Sequence, residues 1–195
     1  MKRLFDILLS LFFLALLWPV FLAFAVWISL DSRGGIFYTQ QRVGRYNRNF
    51  LMFKFRTMRS GADAAGLLTV GGRDPRVTRA GYYLRKVKLD ELPQLVNILK
   101  GDMSFVGPRP EVRKYVDLYT KEQLAVLQVR PGLTDYASLE YFEENNLLEE
   151  SGDPEKTYIE EIMPAKLALN MKYIRKQSLP VDIRIICRTI VRIFG

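Results

Sequence analysis

The sequence predicts an α+β chain, mainly helical. A re-entrant membrane helix kinked at Pro19 occupies residues 1–32, and a small soluble domain carrying amphipathic interfacial helices occupies residues 33–195. Three observations predict this. Ile7–Leu30 is a run of 24 uncharged residues. Short apolar segments of strand character before residue 56 give way to helix-patterned stretches after residue 89. In the last of these stretches Arg184, Arg188 and Arg192 recur every four residues.

The uncharged run would span about 36 Å as a straight helix, against a hydrocarbon core of about 30 Å. It is apolar around its whole circumference, unlike a soluble surface helix, and no small-residue cleavage site follows it as in a signal peptide. Pro19 cannot donate to the Ala15 carbonyl and disfavours helical geometry at Trp18, so a bend is expected there. Basic residues flank both ends: Lys2 and Arg3 before, Arg33 and the Arg42–Arg48 group after. Both flanks favour the cytoplasmic side. The economical path enters the membrane, bends at Trp18-Pro19 and leaves on the same face; a simple kinked span is the alternative.

Gly34-Gly35 ends this segment. Ile36–Thr39 and the alternating Phe50–Phe55 read as short strands, and Gly61–Pro75, with Gly71-Gly72 and Asp74-Pro75, reads as a loop. A helix is expected over 90–101, with Asp90 as N-cap, Pro93 in the first turn and Gly101 closing the end. Its buried stripe would be Leu92, Leu95, Val96 and Leu99, leaving Glu91, Gln94 and Asn97 nearer the polar side. After the turn Gly107-Pro108-Arg109-Pro110, helices are expected over 111–127, 156–176 and 181–194. The last sets its arginines against Ile183, Ile186, Ile190, Ile193 and Phe194, a pattern suited to an anionic membrane surface or to the domain core.

Composition removes whole classes of chemistry. The chain has no histidine and one cysteine, Cys187, which excludes Ser-His-Asp triads, histidine-bound zinc, intramolecular disulfides and CxxC redox pairs. Carboxylates, Lys, Tyr or hydroxyls must do any acid–base or nucleophilic work, and a metal would be hard and oxygen-bound, pointing to Mg²⁺. Charge is uneven. Residues 140–161 carry a net −8 within a chain of net +8, so the remainder carries +16. The basic stretch from Arg33 to Arg59 suits a polyanion: nucleic acid, anionic lipid or a phosphorylated substrate.

Asp90-Glu91 carries three readings. Asp90 could cap a helix, the pair could hold Mg²⁺ with a substrate diphosphate completing the shell, or one carboxylate could attack phosphorus. Arg85 upstream, Arg109 in a proline-stiffened turn, and Lys54 and Arg56 supply cations for phosphoryl oxygens. Together with the membrane segment, this points to a diphosphate substrate and a lipid partner.

Four blocks carry a resemblance: Lys54-Phe55-Arg56-Thr57-Met58, Asp74-Pro75-Arg76-Val77-Thr78, Leu89-Asp90-Glu91-Leu92-Pro93-Gln94-Leu95, and Gly101 through Pro110. With Lys2-Arg3 before them and Arg130-Pro131-Gly132 after, they resemble the bacterial sugar transferases, whose small members are monotopic phosphoglycosyl transferases. The resemblance implies transfer of a phosphosugar from a UDP-sugar to undecaprenyl phosphate, UMP leaving first, in the ping-pong assembly of surface glycans. It implies Asp90 as nucleophile, Glu91 supporting Mg²⁺ and phosphates (with Asp90 as the second metal-side carboxylate), and Arg85, Arg109, Lys54 and Arg56 as phosphate-binding. Gln94, Arg130, Pro131 and Gly132 would contribute to substrate binding, and Trp18-Pro19 would form the membrane bend. It further implies a bacterial inner-membrane protein with its catalytic domain on the cytoplasmic face, in contact with lipid, compatible with a homodimer and with no nucleic-acid partner. Trp18 stands where many members have Ser, and Asp135-Tyr136-Ala137-Ser138 departs from the usual Gly-Ala-Gln continuation. Two other classes stay open. One is a non-catalytic cationic membrane adaptor in which Asp90 only caps. The other is a nucleic-acid binder using Tyr38, Tyr46, Phe50 and Phe53, which the membrane segment opposes.

Overall fold

The computed structural model describes residues 1–62 and 74–194. Helices dominate: α1 Lys2–Asp31, α2 Arg79–Lys86, α3 Gln94–Lys100, α4 Arg113–Val116, α5 Tyr136–Glu140, α6 Glu144–Glu149, α7 Pro154–Thr157, α8 Met163–Lys176 and α9 Leu179–Phe194. Two small sheets complete the body. β1 Phe37–Val43 and β2 Asn49–Phe55 form an antiparallel hairpin, with Phe37 opposite Phe55 and Val43 opposite Asn49. β3 Ser104–Val106 and β4 Gly132–Thr134 pair in parallel, Ser104 opposite Gly132. β1 runs past the expected Thr39: Tyr38, Gln40 and Arg42 are half-buried while Thr39 and Gln41 are exposed, and polar residues on the inner face hid the strand.

α1 is, among the described residues, the helix long and apolar enough to cross a membrane. Helical geometry continues through Trp18 and Pro19, so the expected departure of Trp18 from helical geometry is not found; the missing proline N–H removes one bond without ending the helix. Leu4, Leu8, Phe12, Leu16, Leu22, Val26 and Leu30 stay exposed, an apolar face with no protein cover.

Both ends of α1 meet the same body. At its start, Lys2 pairs with Asp182 of α9 at 2.6 Å. Arg3 donates to the Ile98 and Leu99 carbonyls at 2.5 and 2.8 Å, satisfying the open end of α3. Buried Asp6 accepts from the Ser104 hydroxyl and the Phe105 amide, both at 3.1 Å. Near its end, Asp31 accepts from the Ala80 amide in the first turn of α2 at 3.0 Å. Leu9, Phe13 and Leu14 pack on a core of Met52, Leu95, Ile98, Met103, Phe105, Val106, Tyr173 and Ile185. Phe21, Phe24 and Ile28 join a second core with Phe55, Ala80 and Leu84. A third, built from Val112, Tyr115, Leu148, Tyr158 and Leu167, lies under the acidic segment.

Several expected helices change shape for local reasons. Asp90 caps no helix: Leu89–Glu91 is a 3₁₀ turn, and α3 starts after Pro93 without a side-chain cap. The buried face of α3 is Gln94, Leu95, Asn97 and Ile98, whereas Val96 is exposed. Asn97 turns inward because its amide braces β2, accepting from Phe53 N at 2.9 Å and donating to the Leu51 carbonyl at 2.7 Å. Gly101 closes α3 with φ 98°, as expected. The helix expected over 111–127 survives only as α4 and a 3₁₀ turn, Gln123–Gln128. Between them, Thr120 and Gln123 bond reciprocally through side chain and backbone at 2.8 and 3.3 Å, competing with the helical ladder. The stretch expected over 156–176 is helical from Pro154 to Lys176, with a π turn at Tyr158–Ile162 ahead of Pro164, whose missing N–H interrupts the ladder. Of the expected loop, residues 63–73, including Gly71-Gly72, lie outside the described residues; Asp74 on its far side binds the Arg76 guanidinium at 2.6 Å.

β3 and β4 approach so closely at Gly107 and Gly132 that a Cβ on Gly132 would lie 2.1 Å from the Gly107 nitrogen. Gly132→Ala is expected to lower stability by about 1–3 kcal/mol, measured by thermal unfolding in detergent; an unchanged melting temperature would show that the two strands can part without cost.

Candidate active site

Lys88 sets the site. It has φ 56°, an uncommon left-handed conformation for a non-glycine residue, and it reverses the chain between α2 and the 3₁₀ turn so that Asp90 and Glu91 both point into the body. They are 6% and 7% exposed. Two adjacent carboxylates at that depth repel each other and lose hydration, so both need a reason to stay ionised.

Glu91 has one. Arg109 grips it in a bidentate fork, Nη1 donating to Oε2 at 3.1 Å and Nη2 to Oε1. Lys54 of β2 donates to Oε1 at 2.9 Å. Burial alone would raise the Glu91 carboxyl, but Arg109 and Lys54 overcome it and hold the group well below the usual carboxylate range. Asp90 is in the opposite state. No donor among the described residues bonds its carboxylate; burial pushes it above its ordinary value, Glu91 adds to that, and the charges of Lys54, Arg85 and Lys88 act against it. Neighbouring carboxylates driven apart in this way mark a division of labour.

Arg109 is aimed by its own backbone. Its amide donates to Asp135 Oδ2 at 3.1 Å, while Asp135 Oδ1 accepts from Ser138 N at 2.6 Å and so caps α5. Asp135 is fully buried. Sequence reasoning placed it only in an altered block; its position just before the Tyr136-Ala137-Ser138 turn, with an N-capping side chain, was the available signal. Lys88 was also missed, and nothing in its sequence context announces a left-handed residue.

The other expected residues divide. Arg85 belongs to the group through its charge on Asp90. Arg56 does not join it: its guanidinium donates to the Ser32 hydroxyl and carbonyl at 2.6 and 2.8 Å, and to the Gly35 carbonyl, tying off the end of α1. Gln94 is buried at the head of α3, and its side-chain nitrogen has no hydrogen-bond partner. Arg130 turns away, donating to the Gly101 carbonyl at 2.9 Å, at the far end of α3 from Asp90. Pro131 and Gly132 act through the backbone: Pro131 O accepts from Ser104 N at 2.9 Å and Gly132 N donates to Pro108 O at 3.0 Å, which fixes the turn presenting Arg109. Trp18 and Pro19 lie on exposed positions of α1.

Among the described residues, no three acidic or cysteine side chains gather as a metal cage. Magnesium does not require one, since one or two carboxylates plus substrate phosphates suffice. Asp90, whose oxygens no described residue bonds, fits that pattern. Glu91, with both oxygens committed to cations, fits it poorly.

The whole chain, residues 1–195, matches the family model described as bacterial sugar transferase. A UDP-N-acetylgalactosamine-undecaprenyl-phosphate N-acetylgalactosaminephosphotransferase of Aeromonas hydrophila is 38% identical over 97% of this chain and 42% of its own length. A UDP-glucose:undecaprenyl-phosphate glucose-1-phosphate transferase of Xanthomonas campestris pv. campestris is 39% identical over 100% of this chain and 39% of its own length. The chain thus spans about two fifths of these two relatives. The exopolysaccharide production protein ExoY of Rhizobium meliloti is nearer in size, 35% identical over 97% of this chain and 83% of its own length.

Glu91→Gln leaves Lys54 and Arg109 without their anion and is expected to cost roughly 3 kcal/mol, the low end for breaking a buried pair because both cations reach solvent. Because the folded-state value is depressed, the stability Glu91 contributes is complete above the ordinary glutamate range, about 4.3, and is lost as pH falls through the folded value. The gap between wild type and variant should therefore narrow in acid, as read from melting temperatures across pH.

Proposed function

The chain belongs to the bacterial sugar transferase family, and on that premise we propose that it transfers a sugar phosphate from a UDP-sugar to undecaprenyl phosphate through a covalent intermediate on Asp90. The observation that carries this reading is the contrast within the carboxylate pair: Asp90 buried and unbonded, Glu91 bound to Arg109 and Lys54. A carboxylate kept free of hydrogen bonds and more basic than usual is suited to attack phosphorus.

In the first step an Asp90 oxygen bonds to the sugar-bearing phosphorus, the bond to the bridging oxygen breaks, and UMP leaves with that oxygen and its electron pair. In the second, a phosphate oxygen of the polyprenol attacks the same phosphorus and the Asp90 carboxylate departs, giving the diphosphate-linked lipid. No net proton is gained or lost. Arg109, Lys54 and Arg85 neutralise oxygens that carry the developing charge, and Glu91 holds the first two in place. Mg²⁺ on Asp90 and the substrate phosphates would add further charge neutralisation when bound.

The re-entrant path of α1 belongs to the same reading. Its support is that Lys2, Arg3 and Asp6 at one end, and Ile28 and Asp31 at the other, contact one body, as a helix that enters and leaves on one side of a bilayer requires. The basic flanks favour the cytoplasmic side. The adaptor alternative needs Asp90 as a cap, and that residue caps no helix.

Detergent-solubilised protein mixed with UDP-sugars and Mg²⁺, without lipid acceptor, tests the mechanism. Wild type should give a phosphosugar mass adduct with stoichiometric UMP, and Asp90→Asn should give neither, with turnover down at least about 10³-fold. Turnover with polyprenol phosphate in Asp90→Asn at the wild-type rate would remove the nucleophile assignment.

The Asp90 shift makes two further predictions. Only the ionised carboxylate attacks, so the acid limb of adduct formation should lie above the ordinary aspartate value of about 3.9. The stability associated with a raised acid is full below that value and lost as pH rises through the folded one. Asp90→Asn, which mimics the neutral form, should therefore melt higher than wild type at neutral pH while being inactive.

A further inference from the structure

Where the head of α1 meets the body, an open cavity of about 220 Å³ is lined by Lys2, Arg3, Asp6, Arg45, Arg130 and Gln177, among others. It has room for several waters at about 30 Å³ each, and its charge is unbalanced. Lys2 has a counter-ion in Asp182. Among the described residues the three arginines form no ion pair: Arg3 donates to the Ile98 and Leu99 carbonyls, Arg45 to Gln128 O at 2.9 Å and Arg130 to Gly101 O at 2.9 Å, all neutral acceptors, and the charge of Asp6 acts on Arg3 only at longer range. Arg130 uses only Nε in that bond, leaving both terminal nitrogens without an acceptor among the described residues. Against them stands one lining carboxylate, Asp6, whose Oδ1 is engaged by Ser104 and Phe105 of β3.

Three arginines and a lysine lining one concave site with a single carboxylate attract an anion, and planar guanidinium forks match the oxygens of a phosphate. The site is separate from Asp90. Arg130 reaches the residue that closes α3, whereas Asp90 precedes it, and the seven residues of α3 alone span about 10 Å. It is also next to the apolar exterior: Leu4 and Leu8, beside Lys2 and Arg3 on α1, are 62% and 58% exposed.

We propose that this cavity binds a phosphate group, that of an anionic glycerophospholipid whose chains lie along the outer face of α1. Bound there, it neutralises Arg3, Arg45 and Arg130. The proposal does not depend on the transferase reading. Free phosphate shares the same chemistry, and the test separates the two sources.

Detergent-purified full chain would be titrated with dihexanoyl phosphatidylglycerol, dihexanoyl phosphatidylcholine or inorganic phosphate while the melting temperature is followed, for wild type, Arg45→Gln/Arg130→Gln and the exposed-surface control Arg33→Gln. Phosphatidylglycerol should raise the wild-type and Arg33→Gln melting temperatures, with an apparent affinity at least tenfold weaker in the double variant and little effect of phosphatidylcholine. Inorganic phosphate that matches the glycerophospholipid and competes with it would keep the phosphate site but make free phosphate its source. Equal affinity in wild type and double variant, or no shift with any ligand, would overturn the site. Should the double variant not fold, labelling of wild type by a diazirine-bearing phosphatidylglycerol, with peptide mapping, decides instead. Label at residues 2–6, 45 and 129–130 supports the cavity, and label confined to other segments overturns it.

Discussion

Glu91 stands where three chain segments must agree. Lys54 arrives from β2, Arg109 from the turn after β3, and Glu91 from the 3₁₀ turn that a left-handed Lys88 makes. A buried carboxylate with two cationic partners tolerates little displacement of any of them, because each would leave a charge unpaired at depth. The hairpin, the β3–β4 pair and α3 are therefore held in mutual register at the point where Asp90 emerges. Asp135 extends the constraint outward, fixing the Arg109 backbone and starting α5, so that the acidic segment is anchored to the same site.

The consequence for Asp90 is a local imbalance. Its neighbour takes Arg109 and Lys54 in direct bonds, and among the described residues Asp90 receives only the longer-range field of Lys54, Arg85 and Lys88. The pair thus separates into a scaffold acid and a free acid without any third carboxylate, a division that fits a site meant to receive additional negative charge on a diphosphate.

Much of this was legible in the sequence because it depended on local pattern. The uncharged Ile7–Leu30, the alternation of Phe50–Phe55, Gly101 as a helix stop, and the Asp90-Glu91 pair all follow from spacing and residue type. What escaped reading depended on partners far along the chain. Asn97 appeared as a polar-face residue because its β2 partners at Leu51 and Phe53 are invisible in a helical wheel. Arg56 looked like a phosphate ligand by charge and Arg130 like a substrate-binding residue by resemblance, yet each donates to a carbonyl at the end of a helix, a role that composition cannot distinguish. Asp135 looked like a departure in specificity and is a buried brace. Pro19 signalled a break, and the helical bonding continues past it, since one lost donor does not dissolve a helix of 30 residues.

The joint between Lys2 and Asp182 closes a contact across 180 positions of sequence. α1 is made before its polar docking partners on α3, β3 and α9, so its apolar surface is complete while those partners are still missing. Lys2, Arg3 and Asp6 therefore gain their native partners only once those later segments have been made. The N-terminal helix behaves less as an anchor added to a finished domain than as a first-laid part of its core, completed only when the far end of the chain returns to meet it.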